Sequence, residues 1–175
     1  MKKNVLVFGL LSGLTVCVFG LIAMAINQHR DYDLGMILGY TSMLLAFSFV
    51  FVGVKNYRDK YNEGLISFGK AFQVGILIAL ISSTFYVISW LISYYCFMPD
   101  FMDDYAKHSI ETMQAAGASQ VEIDATMAQM ASYKEMYKNP IWVILLTYME
   151  IVPVGLLATL ITSLILMKKQ KLSTN

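Results

Sequence analysis

The sequence predicts an all-α integral membrane protein: a four-helix transmembrane bundle with an extracytoplasmic amphipathic helical hairpin between its third and fourth spans. Three observations lead there. Of 175 residues, 57% are hydrophobic and 14% charged, against roughly 45–50% and about 25% in a soluble domain. The apolar residues are gathered into runs of about 20 or more, enough to cross a hydrocarbon core of roughly 30 Å at ~1.5 Å per residue. Those runs lack the alternation of barrel strands, so helices are the conformer that satisfies the backbone away from water. Residues 1–175 read as a single membrane domain.

The first span, residues 5–26, follows Lys2-Lys3-Asn4 and stops at the polar string beginning Asn27-Gln28-His29-Arg30. Its cations, apolar stretch and Ala23-Met24-Ala25 also fit a secretory signal, but the stretch exceeds the usual length of about 7–15 residues, so the helix is expected to be retained. The second span, residues 34–54, ends at Lys55-Asn56-Tyr57-Arg58-Asp59-Lys60. The third, residues 71–97, is broken by Pro99-Asp100. The fourth, residues 141–167, begins after Asn139-Pro140 and closes at Lys168-Lys169-Gln170-Lys171.

The charges sort by side. Lys2, Lys3, Lys55, Arg58, Lys60, Lys70, Lys168, Lys169 and Lys171, with Asp59 and Glu63, leave +7 at the end that carries the termini. Arg30, Lys107, Lys134 and Lys138 are outnumbered by nine acids at the other end, leaving −5, and Glu150 within the fourth span completes the formal net charge of +1. By the positive-inside rule both termini are expected in the cytoplasm. The absence of a polybasic run argues against a nucleic-acid partner.

Within the spans, Ala71, Gly75, Ala79, Ser82, Tyr86, Ser89 and Ser93 recur at intervals of three and four and share one helical face. Gly9 and Gly13 form a small-xxx-small step in the first span. Gly9, Gly13, Gly75, Ala79 and Ser82 are therefore the candidate packing face, within one bundle or between two copies. Glu150 is the one ionisable residue deep in a span, about 13 Å below the outer boundary by helical rise. An isolated carboxylate there is costly, so it is expected to be a neutral acid or a well-bonded anion facing the bundle interior. Tyr40, Thr41, Ser83 and Tyr86 lie at the same depth as candidate partners. Pro153, one turn on, frees a backbone carbonyl near it. Cys17 and Cys96 are expected to be small buried residues at different depths, beyond disulfide reach.

The connection between the second and third spans carries Tyr57-Arg58-Asp59, then Gly64-x-Ile66-x-Phe68 and Ala71-Phe72-x-x-Gly75, supported by Pro153-x-Gly155 with Leu160 and Ile161 in the last span. Asn62-Glu63-Gly64 reads as a turn and Ser67 as a helix cap. In these residues the chain resembles a family of bacterial four-span inner-membrane proteins, domain of unknown function 4199, over nearly its whole length. The resemblance implies an inner-membrane location and an outer insertion between the third and fourth spans, and it brings no activity, catalytic residue or ligand.

That insertion, residues 99–139, is long for a connection between packed helices and is divided by Gly117. Ser119-Gln120-Val121-Glu122 is a capping-box pattern opening a helix, with Ile123, Met127, Met130 and Tyr137 on one face and Lys134 between them. Met98, Met102, Met113, Met127, Met130 and Met136 cluster around the insertion with His108. Thioethers suit Cu(I), but methionine is equally the adaptable filler of amphipathic faces, so neither a metal nor another cofactor is expected. The chain shows no nucleophile motif, metal-binding triad or phosphate-binding glycine loop, and His29 and His108 stand alone as loop residues.

The sequence alone thus favours a non-enzymatic interaction or assembly component of the membrane, in contact with lipid and with a protein partner or a second copy. The alternative is a small proton- or ion-coupled transporter or oligomeric channel that uses Glu150. A hydrated cavity reaching Glu150 would favour the second reading, and a closed interior the first.

Overall fold

The computed structural model describes residues 1–26 and 31–168; the expectations for His29, Arg30, Lys169 and Lys171 lie outside them. Six α-helices follow one another: α1 (Lys2–Ile26), α2 (Tyr32–Tyr61), α3 (Phe68–Ile92), α4 (Phe101–Ala115), α5 (Gln120–Tyr137) and α6 (Pro140–Leu166), with a π turn at Ser93–Phe97 extending α3. Four of them, α1, α2, α3 with its π turn, and α6, are long and apolar enough to cross a membrane.

The helix ends follow from local chemistry. Asp31 caps α2 by accepting from the Leu34 amide at 3.0 Å. Ser67 caps α3 by accepting from the Lys70 amide at 3.3 Å. Asn139 caps α6 through the Ile141 amide at 2.9 Å, with Pro140 in the first turn, where its missing N–H costs nothing. The second helix outruns its apolar span through Lys55–Tyr61, because no Gly or Pro interrupts that stretch and the terminating turn comes only at Asn62. The π turn closes when the Met98 amide reaches back five residues to the Ser93 carbonyl at 3.0 Å.

Helix α3 is central, packing against α1, α2 and α6, while α2 also meets α1 and α6. Small residues set the approach. A Cβ on Gly9 would stand 2.8 Å from Ile81, one on Gly13 2.6 Å from Phe85, and one on Gly75 2.9 Å from Thr159. Ala79 and Ser82 are buried on the same side of α3. Hydrogen bonds tie the helices where lipid offers no hydrophobic drive between them. The Ser12 hydroxyl donates to the Ala46 carbonyl at 2.6 Å and lies 2.9 Å from Ser82 Oγ, joining α1, α2 and α3. The Asn4 amide donates to the Gly53 carbonyl at 2.9 Å.

The bundle is densely filled toward the end where Met1 and Lys168 lie, by Val50, Val54, Val74, Ile78 and Ile151, none of them measurably exposed. There the α2–α3 connection folds over α6. Ile66 exchanges backbone hydrogen bonds with Lys168, at 3.0 and 2.8 Å, and its side chain is 1% exposed. Arg58 donates to the Leu166 carbonyl at 3.5 Å, satisfying a group at the C-terminus of α6. Gly64, at φ +77, makes the turn that brings Ile66 under α6. Among the motif residues, Tyr57, Ala71 and Gly75 are buried, Phe72 is half-buried, and Asp59 and Phe68 are exposed. Asp59 holds the Arg58 guanidinium at 2.7 Å.

At the opposite end α4 and α5 pair as a helical hairpin around Gly117 (φ +74), with the Ser119–Glu122 capping box in place. Lys134 of α5 ion-pairs with Asp103 of α4. The inward face of α5 is Ile123, Met130, Tyr133 and Tyr137, whereas Met127 is exposed. The expected stripe of Ile123, Met127, Met130 and Tyr137 is thereby corrected at Met127, which is exposed. Cys96 is likewise exposed on the π turn, and both cysteines are free.

Candidate functional site

The four long helices stay packed in the half carrying the termini and separate toward the hairpin, which closes over the gap. The result is a partly open cavity of about 860 Å³. Val16 of α1, Ser42 of α2, Tyr86 of α3 and Glu150 of α6 are the deepest residues that each long helix contributes to its lining, so together they form the floor. Immediately below, Met43 and Ile151 are fully buried, and the cavity goes no further.

Glu150 is exposed as a residue, but it lines this cavity. The Tyr86 hydroxyl donates to its Oε1 at a long 3.4 Å, which links α3 and α6. An intramembrane carboxylate is tolerable where it faces a cavity. Of the residues expected around it, Tyr40 and Tyr86 line the cavity with Glu150. Thr41 and Ser83 do not: Thr41 is exposed elsewhere on α2, and Ser83 is buried between helices. Equal depth does not mean equal azimuth, since adjacent residues on a helix point about 100° apart.

The roof is aromatic. The Tyr32 ring stacks on His108 at 4.9 Å and meets Tyr105 edge-on at 5.6 Å, docking α4 against the start of α2. Trp90 meets Phe101 at 5.1 Å, and Tyr94 meets Tyr137 at 5.2 Å, docking both hairpin helices against the end of α3. His108 is therefore a half-buried helical residue, not a loop one. Burial raises the pKa of the Tyr137 phenol, and the nearby charge of Glu150 adds to the effect. No group of three or more His, Cys, Asp or Glu side chains that could hold a metal occurs among the described residues. Of the clustered methionines, Met98 and Met102 line the cavity, while on α5 Met127 is exposed and Met130 half-buried.

The sequence reading missed Trp90, Ser42 and Tyr137 as parts of this site. Only Ser89 and Ser93, continuing the small-residue stripe of α3 into the lining, carried a signal for it.

Fold and site define a class: a four-span helical membrane protein with a cavity at one end, roofed by a helical hairpin. A family model described as proteins of unknown function, DUF4199, matches residues 7–168, and the chain belongs to that family. Neither a characterised protein nor a solved structure shows significant similarity to it.

Proposed function

We propose that the protein is a non-enzymatic, multi-pass component of the bacterial inner membrane, with both termini cytoplasmic and the hairpin outside. Its outer cavity takes up a small molecule, as the binding unit of a small proton- or ion-coupled transporter. The observation that carries this reading is the cavity of about 860 Å³ that ends on Glu150. That volume lies within the roughly 300–1,000 Å³ of small-molecule sites, and intramembrane carboxylates mark substrate and ion paths.

The reading favoured by the sequence alone, an interaction or assembly component, gives no reason for a carboxylate at the floor of an open cavity. Self-association through Gly9 and Gly13 is disfavoured because Ile81 and Phe85 of the same chain already occupy those positions. The charge difference between the two ends supports the orientation, and the exposed leucines of α1 (Leu6, Leu10, Leu14 and Leu21) suit a lipid neighbour.

Thiol labelling in intact cells tests the reading. In a chain with Cys17 and Cys96 replaced by alanine, Ser89→Cys, on the cavity wall, should react with a membrane-impermeant maleimide added outside. Ser163→Cys, in the packed half, should remain unlabelled until the protein is denatured. Protection of both positions would remove the outward cavity and return the assembly reading to first place.

A further inference from the structure

We propose that the cavity is a binding site for an organic monocation: an ammonium or other onium head seated against Glu150, with an apolar or aromatic body along the walls. The proposal rests on the reading of the cavity as a small-molecule site and names the chemistry that it selects.

Charge comes first. Glu150 stands at the floor, Asp31 and Asp33 stand among the lining residues near the start of α2, and no lysine or arginine occurs among the described residues of the lining. An anion reaching the floor would meet the Glu150 carboxylate, with no lysine or arginine among the described residues of the lining to attract it. Among the described residues, the one hydrogen bond Glu150 receives is the 3.4 Å contact from Tyr86, so most of its acceptor capacity faces the cavity unused. A neutral apolar ligand would offer the Glu150 carboxyl no partner beyond the long contact from Tyr86.

The described walls do not suit a divalent calcium or magnesium ion. Calcium takes 6–8 oxygen ligands and magnesium a near-octahedral shell, and no group of three candidate metal-binding side chains exists among the described residues. The walls offer ring surfaces instead. Tyr40, Tyr86, Trp90 and Tyr137 lie around the carboxylate's side of the cavity, and the negative faces of such rings attract cations, quaternary ones above all. Val16, Ala23 and Leu146 complete a lining suited to an apolar body. A carboxylate beside aromatic faces within an apolar enclosure is the recognition chemistry of an organic cation.

The probe is radiolabelled tetraphenylphosphonium, tested on the full chain in lipid nanodiscs, with empty nanodiscs as background. Tetraphenylborate, of the same shape and opposite charge, is the competitor. Saturable binding near one per chain is expected, unaffected by tetraphenylborate and weakened about tenfold or more, which is about 1.4 kcal/mol, by Glu150→Gln. Gly39→Leu is the second variant, because Gly39 lines the cavity and a Cβ there meets nothing within 4 Å, so it obstructs binding without disturbing packing. It too should weaken binding about tenfold or more. Displacement by tetraphenylborate as effective as by the cation, or unchanged affinity in Glu150→Gln or Gly39→Leu, overturns the proposal.

Ser89→Cys separates this failure from failure of the underlying reading. If the maleimide does not reach position 89, the cavity reading itself falls and the cation proposal falls with it. If it does, and saturating tetraphenylphosphonium fails to slow the labelling, the cavity stands and the cation assignment is wrong.

Discussion

At the scale of single residues, the same amino acid does opposite things at two depths. Gly13 is a contact: a Cβ there would lie 2.6 Å from the Phe85 ring and 3.0 Å from its Cβ, close to the α3 backbone, where little can move. Gly39 borders the cavity and meets nothing within 4 Å. Gly13→Leu should therefore destabilise the bundle by about 1–3 kcal/mol through overpacking. Gly39→Ala should be neutral or stabilising by up to about 1 kcal/mol from helix propensity. Thermal unfolding of both variants in one detergent checks the contrast; equal losses would mean that α1 and α3 do not meet at Gly13. The sequence showed which residues were small and which was acidic, because type and depth can both be read along a helix. It could not show which way each faced. Tyr40 and Thr41 share a depth, yet only Tyr40 lines the cavity; Ser83 and Tyr86 share a helix, yet Ser83 turns into the core.

At the scale of elements, the hairpin and the clasp at the opposite end differ in what holds them. The hairpin's second helix starts on reciprocal hydrogen bonds: the Ser119 amide and hydroxyl each donate to the Glu122 carboxylate at 2.8 Å. These bonds hold the Glu122 pKa below its ordinary value of 4.5. For a depressed carboxylate the contribution is complete above that ordinary value and is lost as pH falls through the lower, folded one. Acidification below 4.5 should thus fray the first turn of α5, visible as moving amide resonances of residues 119–124. Glu122→Gln should abolish that pH dependence; persistence of the same titration in it would show that another group is responsible. The clasp rests on burial. Ile66 is 1% exposed beneath the end of α6, so Ile66→Ala should cost about 2–4 kcal/mol and lower the melting temperature. The capping box and the Asn62-Glu63-Gly64 turn were legible because short-range chemistry dictates them. On α5 the spacing showed Ile123, Met130 and Tyr137 on the inward face but wrongly added Met127, and it gave no sign of the π turn, which the packing at the end of α3 selects.

At the scale of the whole molecule, the cavity is one-ended, and its closed side coincides with the clasp. The bundle widens where α4 and α5 roof it, and below Glu150 it is packed by Met43, Ile78 and Ile151 with no continuation of the cavity. A single chain in this form should pass no steady current in a planar bilayer. On the transporter reading proposed above, movement of a ligand across it would require the packed half to open, and the pairing of Ile66 with Lys168 is one contact that would then part. Those residues exchange both backbone hydrogen bonds, as a hydrogen-bonded antiparallel pair does. Such pairs hold their Cα atoms about 5.5 Å apart, within the reach of a disulfide. In a chain with Cys17 and Cys96 replaced by alanine, Ile66→Cys with Lys168→Cys should therefore oxidise to a cross-link. A carrier locked this way would still bind tetraphenylphosphonium but would stop exchanging it across a proteoliposome membrane, and reduction would restore exchange. Exchange of equal rate in the oxidised and reduced forms would rule out the clasp as the moving part, while efficient cross-linking alone would still verify the packing of the α2–α3 connection against α6. The charges that made the two ends of the chain distinguishable in the sequence gave no hint of this division, because an open half and a packed half are built from helices of similar apolarity. What divides them is where Gly9, Gly13, Ser12 and Ser82 let α1 and α3 touch, and where Trp90, Phe101, Tyr94 and Tyr137 dock the hairpin over the other end.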